Sequence, residues 1–378
     1  MIGKSITAIE TPCVLLDETR LKNNIQLIQQ IAAARNVCVR PHIKTHKCFD
    51  ILRLQIDAGA VGITASKTDE ALMFINNGVE SVTIAYPLVV DSKLDRLIQA
   101  CRSRDVDLRL IADSFAGVEA ISRVAKRYDT KVNIFLKIDV GLHRCGLTED
   151  DPLLIQLANA INHDPSLNFL GLLSHAGHAY GVPTADDVRQ IAREECQIMG
   201  RVQRQLERSG IEVKEISVGS TPTVLASDSY DGITEIRPGN YAFMDRTPLR
   251  LELIEPNQIA LSVLATVVSA NSDYFIVDTG SKVLSSDLGA HGIAGMKGYG
   301  LAYPVDEFEN KEYETLVLKL SEEHGFVARR NFDLPIGSKI RVIPNHSCVA
   351  ANLANTYTVI RDDEVIDQWE IHARGKVR

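Results

Sequence analysis

The stretch VCVRPHIKTHK, residues 37–47, decides how the rest of the chain is read. VCVR has the length and composition of a short buried strand. It stops at Arg40–Pro41, because proline brings no N–H to a ladder and biases the residue before it toward extended backbone. Lys44 follows just past that end. A solvated loop lysine is the ordinary reading of such a residue. A lysine at the mouth of a strand can instead be partly desolvated, which lowers its pKa and makes the amine a nucleophile or a base. His42 and His46 stand four apart, the spacing of a helical metal pair. The strand running up to Pro41 disfavours a helix there.

Working outward, short apolar runs alternate with amphipathic segments. Strands are expected at 37–40, 60–65, 81–86, 107–112, 131–138, 168–174, 212–218 and 233–237. Between most of them lie helical patterns such as FDILRLQIDAG, SKLDRLIQACRSR and FAGVEAISRVAKRYD, with apolar residues at i, i+3 and i+4. Strands alternating with helices imply parallel pairing through crossovers. Eight strands over about 200 residues match a closed (β/α)₈ barrel of TIM type. The competing open sheet lacks a G-x-G-x-x-G after its first strand. Beyond residue 250 the runs IALSVLATVVSA, TLVLKLS, KIRVIP and TYTVIRDDEVIDQWEIHAR are β-branched and alternating, without long helical patterns. The chain is therefore expected to be α/β: a barrel over 17–250, then a mostly antiparallel β domain over 251–378 that also takes in a strand from 1–16. Glycine density at 289–300 suggests a mobile or ligand-facing loop.

Composition narrows the classes. The chain has 378 residues with 45% hydrophobic content, enough for one large core and a smaller one. A net charge of −8 and the absence of basic runs argue against nucleic acid or a membrane surface as partner. Cysteines 13, 38, 48, 101, 145, 196 and 348 include no C-x-x-C, which fits reduced thiols in a cytoplasmic protein. MIGKSITAIETP has no apolar signal-peptide core, and no run reaches the length of a membrane span.

In a barrel of this kind the chemistry sits on the loops that follow the strands. Those loops hold Lys44, then DVGLHRCG with Arg144, SHAGHAY with His175, His178 and Tyr180, VGSTPT with Ser220 and Thr221, and RPGNY with Gly239 and Asn240. Loops seven and eight are neighbours in a closed barrel and form the usual phosphate cradle. Small residues there admit close backbone approach, and a helix N-terminus adds favourable field. An amine able to bond an aldehyde, a phosphate cradle and an arginine between them make up a binding site for pyridoxal phosphate.

RPHIKTHK, KIDVGLHRCG, GSTPT, EIRPGNY, LSEEHG and PNHSC together resemble the motif set of the D-threonine aldolase / D-serine dehydratase family, related to alanine racemases. The resemblance runs over nearly the whole chain. It implies a barrel holding pyridoxal phosphate, a C-terminal β domain and a homodimer. By motif, Lys44 would carry the cofactor, Arg144 would contact its phenolate oxygen, and Ser220, Thr221, Gly239 and Asn240 would hold it and its phosphate.

His346 and Cys348, in KIRVIPNHSCVAAN, are two apart, so on an extended segment both would point to one face. Imidazole plus thiolate suits Zn²⁺, or another divalent cation such as Mn²⁺ or Mg²⁺, and two protein ligands leave positions for substrate and water. A buried free cysteine is the ordinary alternative. The resemblance implies a metal at this motif, its His-x-Cys form being that of D-serine dehydratases. Glu322, Glu323 and His324 read equally as a charged turn, and His178 and Tyr180 rank below the lysine as acid/base groups. The expected reaction is dehydration and deamination of D-serine or a related 3-hydroxy-D-amino acid to a 2-oxo acid and ammonia. Retro-aldol cleavage to glycine and an aldehyde would use the same parts. An amino-acid racemase would need a second acid/base across the cofactor. A non-catalytic cofactor carrier and a metal-dependent barrel hydrolase are the remaining readings.

Overall fold

A computed structural model describes residues 1–290 and 296–378; part of the glycine-dense loop at 289–300 lies outside the described residues. In chain order, β1 (Cys13–Asp17) precedes eight parallel strands: β2 (Cys38–Val39), β3 (Ile63–Ala65), β4 (Ser81–Ile84), β5 (Asp107–Ala112), β6 (Val132–Lys137), β7 (Leu167–Leu173), β8 (Glu215–Val218) and β9 (Glu235–Ile236). They pair in the order β2-β9-β8-β7-β6-β5-β4-β3. The seam between β2 and β3 is closed by Val61 N–H donating to Val39 O at 3.0 Å and by the parallel bridge His42–Thr64. Each strand falls inside or within one residue of its expected segment, though β2 and β9 keep only two ladder residues apiece. Pro41 and Pro238 stop them.

Seven helices, from Glu18–Ala34 to Ala185–Arg208, surround the strands. Their termini obey local chemistry: Ser114 and Thr184 cap the helices Phe115–Arg127 and Ala185–Arg208, the second with a full capping box. Among the described residues no helix is long and apolar enough to cross a membrane.

Alternation along the strands aims an unusually polar set inward. Asp107 and Arg109 on β5, Asn133 on β6, Glu215 and Ser217 on β8 and Glu235 on β9 form a connected network. Arg109 pairs with Asp107 at 2.6 Å and with Glu215 at 2.7 Å. Ser81 donates to Asp107 and accepts from Arg40, both at 2.8 Å. Arg40 pairs with Glu235 at 2.6 Å, both side chains nearly inaccessible. Ser217 then links Glu235 to Arg237 at 2.5 Å on each side. Sequence periodicity reads these strands as apolar and passes over the charges, because each has its partner on another strand. Losing one member of a buried pair strands the other without water. Glu235→Ala is expected to cost about 3–5 kcal/mol, measured as a fall in the urea midpoint at unchanged slope.

The second sheet holds β10 (Leu261–Ala270), β11 (Tyr274–Val277), β12 (Gly300–Pro304), β13 (Thr315–Leu320), β14 (Gly325–Ala328), β15 (Lys339–Pro344), β16 (Thr356–Arg361) and β17 (Glu364–Glu370). β10 pairs with both β11 and β15, so that β10, β11, β14, β13, β12 and β15 close into an antiparallel barrel. A register shift between Val267 and Ser269 gives β10 the bend this needs. β1 lies between β10 (antiparallel) and β16 (parallel), which ties the start of the chain to this sheet.

Candidate functional site

The loops that follow the barrel strands enclose a cavity of about 400 Å³. A smaller cavity of about 90 Å³ adjoins it, sharing His42, Lys44, His175 and Arg237 and reaching Thr221, Asn240, His346 and Cys348. Lys44 faces both. Its backbone lies in the single 3₁₀ turn Ile43–Thr45, capped by His42 and closed by His46 and Lys47 N–H groups on Ile43 O. Burial lowers the Lys44 amine below the ordinary lysine range; Arg144 adds to this, while Cys348 and Glu70 act against it.

His42 and His46 do not form a metal pair. Nε2 of His42 meets Ser66 Oγ at 3.2 Å and Nε2 of His46 meets Gln55 Oε1 at 3.2 Å, so the turn sends the two rings to different partners. Burial, the first cause in each case, holds both imidazoles neutral.

Arg144 lines the larger cavity beside Cys145. Gly219 leads into the short helix Thr221–Ala226, capped by Ser220, whose hydroxyl faces Thr223 and donates to Ala176 O. Gly219 has φ +105°, and a Cβ there would stand 3.0 Å from Val224 Cγ2. A Cβ on Gly239 would lie 3.0 Å from Thr45 Oγ1 and 3.1 Å from His42 Cβ, so a larger residue would have to push the Lys44 turn aside for this loop to lie against it. Thr221 Oγ1 accepts from Tyr241 N–H. The Asn240 side chain is occupied by Asp245 (2.6 Å) and Ser347 (2.9 Å). Among the described residues, the backbone N–H groups of Gly239 and Asn240 have no protein acceptor, as an anion cradle requires.

His346 and Cys348, the expected metal pair, are brought together differently from their sequence rationale. β15 ends at Pro344, and Ser347–Leu353 is a helix with His346 at its N-cap and Cys348 in its first turn. The two side chains are therefore gathered by a helix start and not by a shared strand face. They line the same small cavity, and Cys348 Sγ lies 3.2 Å from Thr45 Oγ1, the residue next to Lys44. Burial alone would lower the His346 pKa, but the Cys348 thiolate and the Asp245 carboxylate raise it to about 10. Against burial, His346 and Thr45 draw the Cys348 thiol down. Among the described residues no group of three or more His, Cys, Asp and Glu is arranged to hold a metal, so the donor set is these two. A borderline-soft N,S pair with room beside it fits a divalent cation. The cavity, its cations, the glycine-lined cradle and the low-pKa amine likewise fit pyridoxal phosphate.

Of the remaining expected groups, His175 borders both cavities and Tyr180 the smaller one. Burial raises the Tyr180 phenol well above its ordinary range, with Thr221 beside it. His178 lines neither cavity; its ring packs 3.2 Å from where a Cβ on Gly141 would lie. Glu322 and Glu323 pair with Lys282 in the open, a surface turn.

Three residues of the site escaped the sequence reading. Lys137 ends β6 inside the barrel, its amine on Ile138 O at 2.8 Å and lowered by burial to about 8. Arg237, beyond β9, bonds Ser217 and Ser174 O and is lowered by burial to about 10. Inward parity at the C-terminal strand ends is the signal that would have found both. Asp245 had none, since only the fold brings it to His346.

Residues 16–247 match the alanine racemase N-terminal domain, and residues 260–360 match a putative serine dehydratase domain. The chain is 32% identical to D-threo-3-hydroxyaspartate dehydratase of Delftia sp. (strain HT23), over 97% of this chain and 98% of that one. It is 31% identical to D-threonine aldolase of Arthrobacter sp., over 99% and 95%, and 31% identical to D-serine dehydratase of Dictyostelium discoideum, over 96% and 96%. A solved structure of a D-threo-3-hydroxyaspartate dehydratase cysteine mutant, in the metal-free form, superposes with a TM-score of 0.90 at 31% identity, covering 97% and 98% of the two chains. Dehydratases and aldolases are lyases, and this chain belongs to their alanine racemase-like family.

Proposed function

We propose that this chain is a pyridoxal-phosphate- and metal-dependent lyase that dehydrates and deaminates D-serine or a related 3-hydroxy-D-amino acid to a 2-oxo acid and ammonia. The observation that carries the reading is the position of Lys44: one amine borders both the strand-end cavity and the pocket of His346 and Cys348. In this reading residues 17–250 form the cofactor-binding barrel, and 251–378 with 1–16 form the domain that supplies the metal ligands. The protein acts as a cytoplasmic homodimer; a single-chain mass in solution would overturn the dimer.

Bound here, pyridoxal phosphate supplies an electron sink for negative charge at the substrate α-carbon. A divalent cation on His346 and Cys348 supplies a Lewis acid for the β-hydroxyl. The chain does the rest. Backbone N–H groups of Gly239 and Asn240, with Ser220 and Thr221, would hold the phosphate, and Arg144 would hold the phenolate oxygen. Lys44 would anchor the cofactor through its amine and would take the proton from Cα of the substrate. The buried lysine suits this task, because lowering the pKa of an amine favours the unprotonated form that acts as a base. The β-hydroxyl leaves as water, and one water is taken up when the C–N bond of the released dehydrated product hydrolyses, so that the net products are a 2-oxo acid and ammonia.

Retro-aldol cleavage is the second reading, favoured by the similarity to D-threonine aldolase. Product analysis separates the two. The protein is incubated with D-serine, D-threonine and D-threo-3-hydroxyaspartate, with and without chelator. A 2-oxo acid and ammonia, lost on chelation, are expected. Glycine plus an aldehyde would replace the dehydration reading, and appearance of the mirror-image amino acid would mark a racemase.

A further inference from the structure

The carboxylate of Asp245 is completely buried. Its two oxygens have different partners. Oδ1 accepts from Thr247 N–H at 2.9 Å and so caps the short helix Arg246–Arg250. A serine or asparagine would cap it as well. Oδ2 makes contacts that capping does not require: Asn240 Nδ2 at 2.6 Å, Ser347 N–H at 3.0 Å, Ser347 Oγ at 3.3 Å and His346 Nδ1 at 3.2 Å. One oxygen thus joins the loop after the last barrel strand to the helix start that carries the metal pair, across 101 positions of chain.

The contact with His346 has a chemical consequence. An ionised carboxylate only accepts hydrogen bonds, so the imidazole hydrogen facing it lies on Nδ1. Nε2 is then the ring nitrogen left for a ligand other than Asp245, with Cys348 lining the same cavity. A ring free to turn would place Nδ1 or Nε2 toward the sulfur at random. Held through Nδ1, the ring keeps Nε2 as the nitrogen that a cation would displace a proton from, in the cavity that Cys348 and Thr45 also line.

We propose that Asp245 is the positioning residue of the metal pair: it fixes the tautomer and orientation of His346 so that Nε2 and the Cys348 sulfur meet a divalent cation together, and through Asn240 it ties that pair to the loop carrying Gly239. The inference rests on the reading above that His346 and Cys348 hold a cation. A carboxylate behind a ligating histidine sets ring orientation and ligand basicity, and its removal weakens metal binding by about 10- to 100-fold.

The test is Zn²⁺ binding by cofactor-loaded protein, measured by competition with a chromophoric chelator, for the unmutated chain, Asp245→Asn and Asp245→Ser. Both variants keep a residue able to cap Arg246–Arg250. The unmutated chain is expected to take up one Zn²⁺, and both variants to bind it about 10- to 100-fold more weakly with the cofactor absorbance and melting temperature retained. Equal affinity in all three overturns the positioning role and leaves the proposed function standing. Absence of Zn²⁺ uptake by the unmutated chain overturns both. Should the variants fail to fold, ¹⁵N NMR of the unmutated Zn²⁺ complex decides. Coordination through Nε2 with hydrogen on Nδ1 supports the proposal, and coordination through Nδ1 overturns it.

Discussion

Lys44→Ala is expected to lower kcat by roughly 10⁴-fold or more, because one amine serves as both cofactor anchor and base. The same change should abolish the covalent link that borohydride fixes: reduced protein, digested and mapped, should carry the label on Lys44 and nowhere else. The fold should survive. The turn Ile43–Thr45 is closed by main-chain bonds from His46 and Lys47 to Ile43 O, and among the described residues the Lys44 side chain makes no ion pair that its removal would leave unmatched. A melting temperature close to that of the unmutated chain, with activity gone, is the expected combination. Retained turnover in Lys44→Ala, or label on Lys137, would sink the assignment. Lys137 is the informative control, since it too is a buried amine of lowered pKa at a strand end of the same barrel. Its amine is committed to Ile138 O, whereas Lys44 borders the pocket of Cys348 as well as the main cavity.

The second large effect concerns the other half of the site. His346→Ala and Cys348→Ala should each reduce turnover of a β-hydroxy amino acid by about 10²- to 10⁴-fold, the several kcal/mol that a Lewis acid contributes to a poor leaving group. Chelation of the unmutated protein should give the same loss, and adding back Zn²⁺ or Mn²⁺ should restore only the unmutated chain. The cofactor absorbance should persist in both variants, because Lys44, Arg144 and Gly219 line the larger cavity, which His346 and Cys348 do not border. Activity indifferent to chelator and to both substitutions would remove the metal from the reaction and favour the racemase reading. Loss of the cofactor band in either variant would show instead that the pair supports the cradle. That outcome is physically open to test, since Asn240 and His346 share one carboxylate oxygen.

The sequence by itself determined most of the scaffold. Strand and helix periodicities are local signals, and prolines at 41 and 238 mark ends that no tertiary contact needs to supply. Eight strand–helix units followed by alternating β-branched runs were therefore enough to lay out the barrel and the second sheet, and to put Lys44, Arg144, Ser220, Thr221, Gly239 and Asn240 on loops at the same end. What the tertiary structure alone decided is which distant polar groups share a space. Arg40 and Glu235 look like interruptions of two strands until the barrel closes and makes them one buried ion pair. His346 and Cys348 meet because a helix begins between them, and the geometry of an extended pair plays no part. Asp245 carries no local mark at all. Its role exists only because a carboxylate buried away from water must collect donors, and the fold offers it donors from both sheets' loops at once.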